Sequence, residues 1–498
     1  STTPATTPAT TPATTRRGLL GTGAAGVGAL GAAVTAPPAS AAPTRAGAAG
    51  DAYDGTIDTA AWPDGPGRPV VAAPADAELR EILAAIDPDR IRATVEKLVS
   101  FGTRHTLSSQ DDPERGIGAA RDWIARRMRR YAARSGGRMT VTVPSYVQEP
   151  ASRIPEPTVI SNVVARLEGT TDPGRVYVVS GHYDSRVTDV MDATSDAPGA
   201  DDDASGVAVA MELARLMATR RTAATIIFAA VAGEEQGLYG STFLARQLTE
   251  EGADVQAMFT NDIVGASRAD DGTVDRRSVR MFVEGLPIGE DEETRATRVL
   301  VGGESDSPAR QLGRFVAEVA TREVTGMEVR LVHRLDRYLR GGDHRPFLEA
   351  GYPAARFTEP NEDYAHQHQD VRVEDGVQFG DLAEFCDFDY VAGVARVNAA
   401  TLWNLAQAPG TPVDVRIETS ELTNDSTLTW QPASGDPVGY EVVWRPTAEP
   451  LWLHRIAAGD RLRRTVDLSK DNAVLAVRSV AADGRRSPAV FPFPADPA

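Results

Sequence analysis

Cysteine is nearly absent. Cys386 is the single one among 498 residues, so no internal disulfide can form and a zinc site built on two or more cysteines is excluded. Any metal must therefore sit on carboxylates and on some of the seven histidines. Positive charge is also in deficit: 52 Lys and Arg face 70 Asp and Glu, a formal net charge of −18. That balance argues against a nucleic-acid or anionic-membrane partner, both of which need a basic surface. Beyond a weakly apolar stretch near residue 25, no run approaches the roughly 18 apolar residues of a spanning helix. What is present is ordinary globular material, 42% hydrophobic and 24% charged, in a chain long enough for two or three domains.

The chain divides by composition. Residues 1–14, "STTPATTPATTPAT", are a Thr/Pro/Ala repeat that cannot bury a core and is expected to be disordered. Residues 15–41 place Arg16 and Arg17 before an uncharged Gly/Ala/Leu/Val stretch that ends in Ala39-Ser40-Ala41. A basic start, a weak apolar middle and an A-x-A site resemble a twin-arginine export signal, which implies a secreted protein with no membrane association after cleavage. Residues 42–75 read as a linker or surface-hugging extension, rich in Ala, Gly, Pro and Asp.

Three amphipathic helices are predicted next, in "ADAELREILAAI", "PDRIRATVEKLVSF" and "GIGAARDWIARRMRRYAAR". Strand and helix then alternate: "RVYVVSGHYDS", "ASGVAVAMELARLMATR", "ATIIFAAVAGEE", "LYGSTFLARQLTEE", "QAMFTNDIVG". This order predicts an α/β fold, a mostly parallel mixed sheet with helices on both faces. Ligands of such sheets bind beyond the carboxyl ends of the strands, and three of these strands end in chemistry: Gly181-His182-Tyr183-Asp184, Gly233-Glu234-Glu235 and Asn261-Asp262. His182 and Asp184 share a strand face, so Asp184 can take the imidazole proton that a metal does not displace. In "PGADDDASGVA", Asp201, Asp202 and Asp203 crowd a helix start. One aspartate is enough to cap a helix; three point to cations, since one carboxylate can bridge two divalent ions and offset the repulsion.

The set "GHYDS", "PGADDDASGVA", "AGEEQGLYGS", "NDIVG" and a later acidic loop with histidines resembles the co-catalytic zinc aminopeptidases, relatives of glutamate carboxypeptidase, glutaminyl cyclase and the transferrin-receptor ectodomain. The resemblance implies a catalytic domain over residues 76–408, two zinc ions and peptide substrates. It implies Asp202 as the bridging carboxylate, His182 and Asp262 on one ion, Glu235 and a downstream histidine on the other, and Glu234 as general base. The bond matching Asp202 to Asp203 is often cis in that family. In "NEDYAHQHQDVRVEDG" both His366 and His368 can bind metal; the family pattern of His, three residues, acid fits His366 with Asp370 and favours His366. Tyr364 is the nearest candidate for a tyrosine that some relatives place just before this histidine. Asp184, Asp201, Asp203 and Asp370 are expected to support the ligands. The resemblance leaves aminopeptidase, carboxypeptidase and dipeptidase chemistry open, with aminopeptidase preferred. The rival is a binding protein on a decayed peptidase scaffold, which would have lost ligands that this chain keeps.

Residues 375–409 read as a helical end to the catalytic domain, with Cys386 as buried filler between Phe385 and Phe388. The Asp343-His344 stretch resembles a family Asp-His stretch that lies near the pocket, and Asp343 fits a helix-start cap equally well. His105 lies in "FGTRHT", which resembles a frequent amino-terminal stretch of the family and implies no ligand role, and His333 and His454 take structural or surface roles. From residue 411 to 495 short alternating strands separated by Gly, Asp and Pro predict an all-β sandwich. Its Trp430 and Tyr440 make it similar to a fibronectin type III module.

Overall fold

The computed structural model describes residues 66–72 and 74–495. The low-complexity segment 1–14, the export signal 15–41 and most of the extension 42–75 lie outside the described residues. Among the described residues no helix is long and apolar enough to cross a membrane.

Eight strands form the central sheet: β1 (Met139–Thr142), β2 (Val163–Leu167), β3 (Asp172–His182), β4 (Ala224–Val231), β5 (Asp254–Asn261), β6 (Ser278–Phe282), β7 (Glu328–Val332) and β8 (Ala354–Thr358). Their spatial order is β7-β6-β8-β5-β3-β4-β2-β1. The four central strands β8, β5, β3 and β4 run parallel. Antiparallel pairings enter at β6 against β8, β4 against β2 and β2 against β1, so the sheet is mixed with a parallel centre. The helices are α1 (Ala77–Ala84), α2 (Pro88–Val99), α3 (Ile117–Ala132), α4 (Gly206–Met217), α5 (Tyr239–Glu250), α6 (Pro308–Val319), α7 (His344–Glu349) and α8 (Phe388–Gln407). Successive side chains of a strand face opposite ways, and β3 uses this fully. Tyr177 and Val179 join a core with Ile82, Ile91, Ile124, Val207 and Trp403, whereas Val176 and Val178 join a second core with Leu244, Leu248 and Phe347. Burial on both faces explains why β3 and β4 read as near-continuous apolar runs.

Close packing of α4 on the sheet depends on glycine. A Cβ at Gly206 would fall 2.0 Å from the Asn261 carbonyl oxygen, so only glycine lets the helix start this near the end of β5. The three aspartates stand immediately before it in a wound turn, Ala200–Ser205, whose Asp202–Asp203 peptide bond is cis.

Residues 375–387 are not α-helical and hold only a single 3-10 turn, Ala383–Phe385. Arg372–Glu374 and Val377–Phe379 form a hairpin about Asp375 and Gly376, both at positive φ; Asp-Gly is the dipeptide such a turn favours. The helix is confined to α8. Beyond it lie β9 (Val413–Ile417), β10 (Ser426–Gln431), β11 (Gly439–Pro446), β12 (His454–Gly459), β13 (Arg463–Val466), β14 (Ala473–Val480) and β15 (Phe493–Pro494). They make two sheets, β13-β10-β9-β15 and β12-β11-β14, enclosing Val415, Leu428, Trp430, Val442, Trp444 and Val477. The second sheet gains a fourth strand from outside: Arg68–Pro69 pairs with His454 and Arg455. Trp444 Nε1 donates to the Pro66 carbonyl at 2.7 Å and Val70 N to Leu453 O at 2.8 Å. The end of the expected linker is thus an edge strand of the carboxyl-terminal sandwich.

The sandwich is bound to the α/β half through buried charge. Asp306 accepts from Arg445 at 2.7 Å and faces Arg314 at 3.1 Å, with all three side chains almost fully inside. Arg478 bridges Glu441 of the sandwich and Glu318 of α6, each at 2.7 Å.

Candidate metal centre

The carboxyl ends of β3, β4 and β5 converge, and the loop before α4 is carried over them. His182 ends β3, Glu234 and Glu235 follow β4, Asp262 follows β5, and Asp202 comes from the wound turn. Two groups of three result, His182 with Asp202 and Asp262, and Asp202 with Glu235 and His368, each with its ligand atoms within 4.8 Å of one another. Asp202 belongs to both. Its Oδ1 lies 3.0 Å from His182 Nε2 and its Oδ2 2.7 Å from His368 Nε2. Asp262 Oδ1 is 3.9 Å from His182 Nε2, and Glu235 Oε1 is 3.0 Å from His368 Nε2.

Main-chain and side-chain hydrogen bonds fix the carboxylates. Asp203 turns away from the cluster and accepts from the His182 and Gly206 backbone nitrogens, both at 2.9 Å. Asp201 also points elsewhere, accepting from Gly265 N at 2.6 Å. Asp381, unremarked in the sequence, accepts from the backbone nitrogens of Asp201 and Asp202 at 2.8 Å each and so orients the turn. Asp184 serves His182 through its main chain: Nδ1 is 3.2 Å from the Asp184 carbonyl oxygen and 3.5 Å from its carboxylate. A carbonyl can only accept, so Nδ1 carries a proton and Nε2 faces the cluster. The Asp184 carboxylate is occupied by Thr106 Oγ1 and by the nitrogens of Glu234 and Glu235. Arg356 steadies Asp262 at 2.9 Å.

The downstream histidine differs from the expectation. His366 does not join the cluster; its ring stacks on Phe385 with centroids 3.5 Å apart, and Nδ1 is held by Asp363 at 3.1 Å. His368, in left-handed backbone at φ 53°, occupies the place instead. Asp370 exchanges hydrogen bonds with Thr188 and supports neither histidine. Tyr364 is 58% exposed and lines a separate surface hollow with Asn361 and Glu362, so it is not a residue of this site. Asp343 makes no capping bond to α7; it is buried. His344 bonds the Leu335 carbonyl at 2.8 Å, and His105 is buried against Val190 O and Gln236.

Electrostatics set the character of the cluster. Burial disfavours the charged imidazole of His182, but the Asp184 and Asp202 carboxylates outweigh it and hold the ring well above its ordinary value. Burial likewise opposes His368, and Glu235 and Asp202 push it up to about 10. Glu234, half-buried on the cavity wall, is held well above the carboxylate range by burial, with Asp262 and Glu235 adding to it against the charge of His182. The cluster therefore demands positive charge. The buried His182 Nε2, Glu235 Oε1 and His368 Nε2 make no well-directed hydrogen bond and face other ligand atoms of the cluster at 2.7–3.0 Å, although such atoms are nearly always satisfied in folded proteins. Carboxylate and imidazole donors aimed at common centres fit divalent zinc. A cavity of about 1000 Å³ opens onto the cluster.

Fold and cluster together define an α/β protein with a candidate two-ion carboxylate and imidazole centre at the carboxyl ends of its parallel strands. The chain belongs to peptidase family M28: residues 162–374 match the profile described as "Peptidase family M28", which bears out the family resemblance of the motifs. It is 59% identical over 450 residues to a "Probable zinc metalloprotease" of Pyricularia oryzae, covering 88% of this chain and 89% of that protein. A "Probable zinc metalloprotease" of Leptosphaeria maculans is 57% identical over 418 residues, 84% of this chain and 97% of that one. Among solved structures, the LapA aminopeptidase of Legionella pneumophila aligns at 18% identity over 66% of this chain and 75% of its own, with a TM-score of 0.47.

Proposed function

We propose that the protein is a zinc-dependent exopeptidase of aminopeptidase type that acts through two ions. The observation that carries this reading is Asp202, whose two oxygens face two different imidazoles, each flanked by one further carboxylate. His182 and Asp262 would hold one ion, Glu235 and His368 the other, with Asp202 between them. When bound, such a pair polarises a peptide carbonyl and makes water a nucleophile near neutral pH. Glu234 stands on the same cavity wall without being needed as a ligand; it takes the proton of the attacking water and returns it to the leaving amine. Its raised proton affinity suits both halves of that task. A neutral His368 that offers Nε2 to a cation carries its proton on Nδ1, which Arg186 now approaches at 2.5 Å. Arg186 then relies on Glu235 Oε2, which it reaches at 2.9 Å. The names of the two fungal relatives also support zinc and peptide bonds, and the retained acids, His182 and Glu234 speak against a decayed scaffold. Secretion and the fibronectin type III likeness of the sandwich rest on the sequence and are part of the same proposal.

The test is Glu234→Gln in zinc-loaded protein, assayed on free-amine, N-blocked and C-amidated dipeptides. The expected result is hydrolysis of free-amine peptides that chelator abolishes, and a 10²- to 10⁴-fold fall in kcat for the variant with metal content unchanged. Equal cleavage of N-blocked peptides would remove the aminopeptidase assignment. Full activity of the variant would remove Glu234 as base.

A further inference from the structure

The cavity over the acidic cluster is also rich in arginine. Arg153, Arg186, Arg337, Arg340 and Arg345 all line it, in a protein whose net charge is −18. Arg186 is committed to Glu235 and Arg345 pairs with the exposed Glu349. Of the other three, Arg340 and Arg153 are under-compensated. Arg337 and Arg340 both approach Glu362 Oε2, at 3.1 and 3.2 Å, while Arg280 takes Oε1 of the same residue at 3.1 Å. Three guanidinium groups thus share one carboxylate. Arg337 also reaches Asp336 Oδ1 at 3.1 Å, whose Oδ2 takes the buried Arg356, whereas Arg340 has no second acid among the described residues. Arg153 donates to the Glu235 carbonyl at 2.8 Å, and among the described residues it has no carboxylate within ion-pair distance.

A second feature lies in the same cavity. The loop that carries Arg337 and Arg340 turns through Leu339 at φ 56°, and this leucine, lining the cavity, is fully exposed at 105%. A strained, uncovered leucine in the loop that carries two cavity arginines is a surface built for an occupant rather than for the core.

We propose that this arginine-rich cavity recognises a carboxylate on the substrate, with Arg340 and Arg153 as specificity-determining residues and Leu339 as an apolar rest for the adjoining chain. The inference deepens the peptidase reading and rests on it. Guanidinium is the side chain suited to bidentate carboxylate binding, and divalent ions on Asp202, Glu235 and Asp262 would leave the arginines still less compensated. The carboxylate is either the free C-terminus of a short peptide or an acidic side chain next to the scissile bond.

Three peptides separate these cases: Leu-Gln amide with no carboxylate, Leu-Glu amide with one on the side chain, and Leu-Gln with a free C-terminus. For zinc-loaded protein, at least one carboxylate peptide is expected to exceed Leu-Gln amide in kcat/KM by tenfold or more, mainly through KM. Which arm does so identifies the source. Raised salt should shrink the advantage. In Arg340→Gln and Arg153→Gln the ratio should collapse toward one, while Arg340→Lys keeps part of it. Equal kcat/KM for all three peptides in the wild type, with hydrolysis still chelator-sensitive, would overturn the inference and leave the peptidase reading intact. Hydrolysis of none would overturn the peptidase reading. Equilibrium binding to the Glu234→Gln protein then decides the inference by itself: tenfold tighter binding of a carboxylate peptide supports it, equal binding refutes it.

Discussion

Asp306 allows the joint between the two halves of the molecule to be tested quantitatively. Its carboxylate is 1% exposed and faces Arg445 at 2.7 Å, Arg314 at 3.1 Å and Gln311 Nε2 at 3.1 Å. Asp306→Ala removes one anion and strands two buried guanidinium groups, each lying over the Trp452 ring at 5.4 and 5.3 Å. Removing one partner of a buried ion pair costs about 3–5 kcal/mol, because the remaining charge has no solvent to turn to. Urea unfolding read by tryptophan fluorescence should show this as an earlier transition. With an m-value of about 3 kcal/mol/M, the midpoint should fall by about 1–2 M. Asp306→Asn keeps the shape and a carbonyl acceptor and should fall between wild type and alanine. A midpoint shift below about 0.3 M for the alanine variant would show that Arg314 and Arg445 reach water when unpaired, and the joint would not depend on this charge.

Two further outcomes follow from the site and its surroundings. His368→Ala should bind at most one zinc per chain by elemental analysis, whereas His366→Ala should bind two; the opposite pattern would return the ligand role to His366. Glu284 is buried at 4% exposure, and burial, opposed by the Ile288 N–H and reinforced by Glu290, pushes its carboxyl up to about 7 from 4.5. The folded chain then binds a proton that the unfolded chain has released between these values, so this group's contribution is full below pH 4.5 and is lost as pH rises through 7. The span corresponds to roughly 3 kcal/mol at most. Glu284→Gln should flatten that part of the stability profile; an unchanged slope would show that Glu284 is ionised in the fold.

Much of the centre was legible because it is local. His182, Glu234, Glu235 and Asp262 each follow an apolar strand, and a parallel sheet brings strand ends together whatever the rest of the chain does. Asp202 was separable from its neighbours only through the family pattern; in the structure the choice is made by Asp381, which binds the turn from a point far along the chain. His366 and His368 are equivalent by composition, and stacking on Phe385 decides between them. The hairpin at Asp375-Gly376 had a readable signal, overruled by the helical pattern that follows it. The outer strands Ser278–Phe282 and Glu328–Val332, which run against the parallel centre, are short and alternate weakly. The cavity arginines come from three loops and the start of α7 and have no signature in any one of them.

The pairing of Arg68–Pro69 with His454 and Arg455 has a temporal meaning. A ribosome makes the first of these strands roughly 390 residues before its partner, an interval of about 20–80 s at ordinary synthesis rates. For that time the Pro66 carbonyl and Val70 amide await Trp444 and Leu453. The seam at residues 66–70 can close only after residue 455 has been made, and a chain cut short before residue 454 leaves that strand without its partner.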